Sequence, residues 1–85
     1  MTSKTTDRFW ECFDRLPADV QDRARAKFKV WLSDPFHPSL HFKVIRDDLW
    51  SVRVSIEHRA LARRYNDLIV WFWIGSHAEY DRLVS

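Results

Sequence analysis

The stretch LWSVRVSIEHRALARRYNDLIVWFWI, residues 49–74, decides the fold. Trp50, Val52 and Val54 alternate with Ser51, Arg53 and Ser55, the period of a half-buried strand. Arg59 to Tyr65 and Leu68 to Ile74 are two further runs rich in β-formers. Asn66 and Asp67 tolerate positive φ and read as a two-residue hairpin turn between them. Pairing across that turn sets Ala62 opposite Trp71 and Ala60 opposite Trp73, small side chains against large ones. A turn at Ile56, Glu57 and His58 sets Val54 against Ala60 and Val52 against Ala62. One face of the sheet then holds Val52, Val54, Ala60, Ala62, Trp71 and Trp73. The other gathers Ser51, Arg53, Ser55, Arg59, Leu61, Arg63, Val70 and Phe72, with three arginines interleaved among apolar residues. Upstream, Lys43 to Arg46, turning at Asp47 and Asp48, adds one short strand.

Before residue 40 the period changes from two to that of a helix. Phe9, Trp10, Phe13 and Leu16 form one helical face, with Thr5 or Thr6 as cap and Asp7 in the first turn. Pro17 breaks that helix and opens a second, in which Val20, Ala24, Phe28 and Trp31 recur on one side. The second helix ends near Ser33, Asp34 and Pro35. The pair reads as a helical hairpin joined by a very short link. The expected fold is α+β: an N-terminal helical hairpin packed on one face of a three- to four-stranded antiparallel sheet. Phe9, Phe13, Phe28 and Trp31 are expected to close the core over the tryptophans. Residues 1–5 are polar and few, and carry no clear strand signal.

The chain has 85 residues, which leaves room for a single domain spanning 1–85. A chain this short buries a modest share of its surface, so its core must be dense in large apolar groups. Five Trp, six Phe and two Tyr meet that need, and one Gly with three Pro excludes collagen-like and low-complexity readings. Cys12 is the only cysteine, so an intramolecular disulfide framework and a Cys-based zinc site are both excluded. No apolar run reaches membrane-spanning length and no hydrophobic leader opens the chain, so a cytoplasmic protein is expected. The net charge of +2 is small, but ten of the fourteen bases are Arg, the residue suited to bidentate phosphate contact. Lys43, Arg46, Arg53, Arg59, Arg63 and Arg64 cluster in the second half. A solvated sheet face and a polyanion-binding face both fit that cluster.

Several catalytic templates are absent: there is no Gly-rich phosphate loop, no GxSxG elbow and no HExxH. His37 and His41 are separated by Pro38 and do not share a helix face, so no metal site is assigned. Cys12 reads as a packing residue. Arg53, Arg59, His77 and Tyr80 form the more informative set. Arginines neutralise a phosphorane as its negative charge develops, and His or Tyr can move protons or hold the phosphate. On spacing alone, Tyr80 as a core aromatic at a helix end and His77 as a turn residue is the favoured reading.

Residues 49–61, LWSVRVSIEHRAL, followed by 69–81, IVWFWIGSHAEYD, resemble the RelE/ParE superfamily of toxins from bacterial type II toxin–antitoxin systems. Residues 34–43, DPFHPSLHFK, resemble the family's link between second helix and sheet, and the 49–61 stretch is most similar to the YoeB and RelE ribonuclease branch. The resemblance implies a metal- and cofactor-independent, ribosome-dependent mRNA endoribonuclease using the 2′-hydroxyl as nucleophile. It implies that Arg59 stabilises the scissile phosphate, that Arg53 is the basic residue of the preceding strand, and that His77 and Tyr80 form the C-terminal part of the site. Lys43 is a looser match, and with Arg46 and Arg63 it would extend an RNA-binding surface. The implied partners are a cognate antitoxin, the ribosome and mRNA, with no membrane. The resemblance also admits a ParE-like inhibitor of DNA gyrase and a diverged, non-catalytic binding module. Two departures stand out: the family's first strand is missing from the expected fold, and its carboxylate base has no clear counterpart. A missing strand leaves a sheet edge open to a partner or to self-association.

Overall fold

A computed structural model describes residues 1–85. In chain order the elements are β1 (Thr2–Thr5), α1 (Asp7–Asp14), α2 (Ala18–Ser33), a 3₁₀ turn (Pro38–Leu40), β2 (Lys43–Arg46), β3 (Leu49–Ser55), β4 (His58–Tyr65), β5 (Leu68–Ser76) and α3 (His77–Val84). The strands form one mixed sheet of five in the order β1-β5-β4-β3-β2. The α+β class and the helical hairpin are as the sequence predicts; the strand count is five, and α3 is a full two-turn helix.

The first strand is a correction to the sequence reading. Thr2–Thr5 pairs in parallel with β5, Thr2 opposite Leu68 and Thr5 opposite Trp71. Apolar alternation is missing because this edge strand is held through polar atoms. Ser3 Oγ accepts from the Trp71 indole N–H at 3.0 Å, and Thr5 Oγ1 accepts from that of Trp10 at 2.9 Å. The backbone N–H of Thr6 donates to the Trp71 carbonyl at 3.0 Å, while Thr6 Oγ1 caps α1 by accepting from Phe9 N–H. β5 is therefore covered, and the sheet edge on that side is β1 instead.

Both helices follow their sequence signals. α1 ends before Pro17, whose carbonyl accepts from the N–H groups of Val20 and Gln21 at 3.0 Å each. α2 ends at Asp34, where Pro35 disfavours further helix. Phe13, Trp31, Leu40, Phe42, Val52, Val54, Ala60, Ala62, Ile69, Trp71 and Ile74 form the main core between helices and sheet. Trp31 meets both Phe42 and Trp71 edge-on, at 5.9 and 5.5 Å. Phe28 does not close this core. It stacks on Trp31 at 6.0 Å yet stays 40% exposed, along one wall of an apolar groove.

Two strand bulges correct the expected pairing. In β3 the turn uses only Ile56 and Glu57, with Ser55 opposite His58; Val54 is then extra, so Val52 faces Ala60 and Trp50 faces Ala62. This displaces the expected register by two residues, which leaves every side chain on its expected face. In β5, Ala62 faces Trp71 as expected, but Leu61 faces Trp73 and Ala60 faces Ile74. Phe72 is the extra residue, and it reverses the alternation beyond it. Trp73 therefore lies on the far face, in a second cluster with Leu49, Leu61 and Tyr80 of α3. Cys12 touches both clusters.

Gly75 is required by that second cluster. A Cβ placed on it would lie 2.5 Å from Trp73 Cζ2 and 3.2 Å from Glu79 Oε1. Gly75→Ala is expected to destabilise the protein by about 1–3 kcal/mol through overpacking, read as a lower denaturant midpoint; an unchanged midpoint means the indole does not rest on the backbone there. Ser3→Ala leaves the Trp71 N–H without its acceptor and is expected to cost about 1–3 kcal/mol. The same denaturation experiment measures it, and an unaltered stability shows β1 to be dispensable.

Candidate phosphodiester site

The far face of the sheet carries the functional candidates because of the strand alternation. Arg53 on β3 and Arg59 on β4 are directly opposed in the ladder, so both guanidinium groups rise from one point of the face. Both residues are half-buried. The chain's four ion pairs involve neither of them. Arg59 Nη1 donates to the Ser55 carbonyl at 3.3 Å, and its guanidinium lies 6.0 Å from the centre of the Tyr80 ring. Burial, and then the charge of Arg53, lower the Arg59 pKa from its ordinary value, while Tyr80 and Asp81 act in the opposite sense. The guanidinium stays charged; its burial is the main cause of the shift, and the neighbouring Arg53 the second.

α3 brings the remaining candidates to the same place. Its N-terminus is fixed by a capping box: Ser76 Oγ accepts from Glu79 N–H at 3.2 Å, and Glu79 Oε1 accepts from Ser76 N–H at 3.3 Å. The His77 N–H donates to the Glu57 carbonyl at 2.6 Å, tying the helix start to the tip of the β3–β4 hairpin. The His77 ring meets the Tyr80 ring edge-on at 5.7 Å, and His77 Nδ1 is 3.1 Å from Asp81 Oδ2. Tyr80 is 9% exposed, so it offers little surface for stacking a base; it is packed against both Arg59 and His77. The four catalytic candidates, Arg53, Arg59, His77 and Tyr80, thus converge.

The three expected RNA-binding residues do not all join them. Lys43 is exposed on the edge strand, opposite Ser51 and so on the same face as Arg53. Arg63 lies four residues along β4 from Arg59, pairs with Asp48 at 2.7 Å and covers Phe72. Arg46 donates to the Val84 carbonyl at 2.9 Å, closing the C-terminal end of α3. Arg46 and Arg63 are therefore engaged in holding the fold.

Two further groups at the site are not evident from the sequence. His41 adopts the left-handed region, φ 46°, and its Nε2 accepts from Arg53 Nη1 at 3.4 Å, which requires that nitrogen to be unprotonated. His37 turns the other way, onto Ser39, so the two loop histidines diverge. Asp81 is the second, because residues 75–82 read as a turn followed by at most one helical turn. The Ser76-x-x-Glu79 pattern is the signal that finds it: it marks a helix start, which puts residues 77 and 81 on one face.

Comparison with known proteins identifies the family and the fold. Residues 18–82 match the family model described as a ParE-like toxin domain. No curated protein matches the chain in sequence. Among solved structures, a YoeB/ParE toxin from Agrobacterium tumefaciens superposes with a TM-score of 0.69 at 18% identity, over 91% of this chain and 99% of that one. The toxin–antitoxin complex RelB–RelE from Methanococcus jannaschii gives 0.75 at 13% identity, over 93% and 96%. The toxin–antitoxin complex RelBE2 from Mycobacterium tuberculosis gives 0.67 at 18% identity, over 89% and 96%. At these identities the superpositions speak for the fold, and the family model carries the assignment: this chain belongs to the ParE-like toxin domain family.

Proposed function

We propose that this toxin is a metal-independent endoribonuclease that cuts mRNA on the ribosome, under the control of an antitoxin. The observation that carries the reading is the pair of directly opposed, carboxylate-free arginines beside His77 and Tyr80. Two cations held together gain from an anion between them, and the gain grows as a phosphodiester takes on further negative charge in its transition state. In the reaction the substrate's 2′-oxygen attacks phosphorus and loses its proton. The bond to the 5′-oxygen breaks, and the 5′-oxygen takes up a proton. A 2′,3′-cyclic phosphate and a 5′-hydroxyl result. Arg53 and Arg59 hold the phosphate, His77 handles protons, and Tyr80 keeps Arg59 and His77 in place. Lys43 extends the cationic face toward the neighbouring nucleotides.

The second reading, a ParE-like inhibitor of DNA gyrase, is favoured by the description of the matching family model. It gives the arginine pair no chemical task. The two readings separate on purified components. Ribosome-bound mRNA is expected to be cut by the wild type, and Arg59→Ala is expected to slow the cut by about 10²–10³-fold. Intact mRNA together with blocked gyrase supercoiling overturns the ribonuclease reading in favour of the second.

The antitoxin has a place to dock on the helix side. A groove of about 410 Å³ runs between α1, α2 and the sheet, walled by Phe9, Phe13, Phe28, Leu32 and Trp71. Phe28 and Leu32 are 40% and 57% exposed, and Arg25, Lys27 and Lys29 also line the groove. An apolar floor with a basic margin fits an amphipathic helix with an acidic flank. Leu32→Asp is expected to weaken copurification with a coexpressed cognate antitoxin at least tenfold. Retention at wild-type level places the antitoxin elsewhere.

A further inference from the structure

His77 is anchored at its backbone and at two points of its ring. Its backbone N–H is bonded to the Glu57 carbonyl at 2.6 Å, and its ring edge packs on Tyr80 at 5.7 Å. Its Nδ1 meets the Asp81 carboxylate at 3.1 Å, one helical turn further along α3. An ionised carboxylate only accepts hydrogen bonds, so Nδ1 must carry the proton in this contact. The neutral ring is then the Nδ1–H tautomer, and the lone pair lies on Nε2, which has no partner within the chain. Free imidazole side chains have no such bias imposed on them.

We infer that Asp81 is the positioning residue that makes His77 Nε2 the proton acceptor of the cleavage reaction, an inference that rests on the ribonuclease reading. The geometry does three things together. It selects the tautomer, it holds the ring beside the same tyrosine that carries Arg59, and it sets a negative charge behind the ring. When Nε2 takes the 2′-hydroxyl proton, the 2′-oxygen bonds to phosphorus and His77 becomes an imidazolium. Asp81 stabilises that cation through Nδ1–H. The departing 5′-oxygen, on the opposite side of phosphorus, takes a proton from water as the P–O5′ bond breaks, and the imidazolium gives its proton up to water, so the proton count closes over one turnover. The missing family carboxylate base is thereby replaced by a histidine with a carboxylate behind it. Asp81 touches no substrate in this scheme, and its side chain is 62% exposed, so replacing it does not open a cavity.

The test uses the full chain, with Asp81→Ala and Asp81→Glu beside the wild type. Imidazole ¹⁵N shifts are expected to report Nδ1–H for His77 in the wild type and in Asp81→Glu. In Asp81→Ala the signal is expected to move toward the Nε2–H form. In single-turnover cleavage of ribosome-bound mRNA, Asp81→Ala is expected to lose about 10- to 100-fold in kcat at little-changed KM, and Asp81→Glu to recover most of it. An Asp81→Ala protein that keeps the Nδ1–H tautomer, or keeps wild-type kcat, overturns the inference while leaving the ribonuclease reading standing. A wild type that cuts no mRNA overturns the ribonuclease reading and the catalytic half of the inference. The ¹⁵N shifts decide the orienting half in either case.

Discussion

At Phe72 the last strand carries one residue more than its neighbour, so Trp71 and Trp73, two apart in sequence, face opposite sides of the sheet. Both cores, the edge strand and the site depend on that bulge. A regular strand would send both indoles under the helices, where Ala60 and Ala62 leave room, and the far face would keep little to bury. With the bulge, Trp71 anchors the helix side and the edge strand β1, through Ser3 and Thr6. Trp73 gives the far face its own small core, over Gly75 and against Tyr80. α3 has an apolar surface to dock on only because of it. Docking brings Tyr80 under Arg59 and sets His77 at the hairpin tip. Bulges re-aim side chains next to functional sites in this way, and here the re-aimed group is the floor of the site.

The site is electrostatically unfavourable as it stands. Directly opposed residues of an antiparallel pair lie roughly 4.5–5.5 Å apart at Cα, and like charges there oppose folding. Arg53 and Arg59 are such a pair, and the lowered Arg59 pKa has burial and Arg53 as its causes. The compensation is partial. The Tyr80 ring offers a cation–π contact worth about 0.5–1 kcal/mol, and the Ser55 carbonyl accepts one guanidinium proton. Asp81 acts from a distance and is itself engaged with His77. Arg63, four residues away on the same strand, shows what a stability-driven arginine looks like: a carboxylate at 2.7 Å and an aromatic face beneath it. Two arginines of one strand thus differ in that a carboxylate answers the charge of Arg63 and none pairs with Arg59.

Much of the fold is legible in the sequence because period and punctuation are local. Pro17, the Asn66–Asp67 turn and the alternation in 49–55 mark out the helical hairpin and the antiparallel strands. The parts that are not legible have non-local causes. β1 is polar, and its stability comes from hydroxyls bonded to Trp71, almost seventy residues on. The Phe72 bulge is settled by competition between two cores, which no count of alternating residues can anticipate. The four catalytic candidates are legible because strand alternation and the family motif point at the same positions, and the structure does bring them together. His41 reads only as a loop residue because its contact with Arg53 exists only once β2 lies beside β3. Asp81 is within reach of the sequence, through the capping box that announces α3.

The apolar groove and the arginine site share two strands while facing opposite ways. Ala60 and Ile74 line the groove and pair with each other; one step along the same strands, Arg59 pairs with Gly75 on the other face. A partner helix seated in the groove therefore leaves the arginines sterically open. It can silence them only through the strands themselves, and a close-packed pair of strands is stiff. Direct occlusion needs a further segment that passes around a sheet edge, and the two edges differ. β1 is held by side-chain hydroxyls as well as its ladder, and leads away from the site. β2 is four residues long, carries Lys43 on the site's own face and lies beside the loop that brings His41 to Arg53. A segment taking the β2 edge meets Lys43 and Arg53 before Arg59, so acidic side chains on that segment would neutralise the cations of the candidate site.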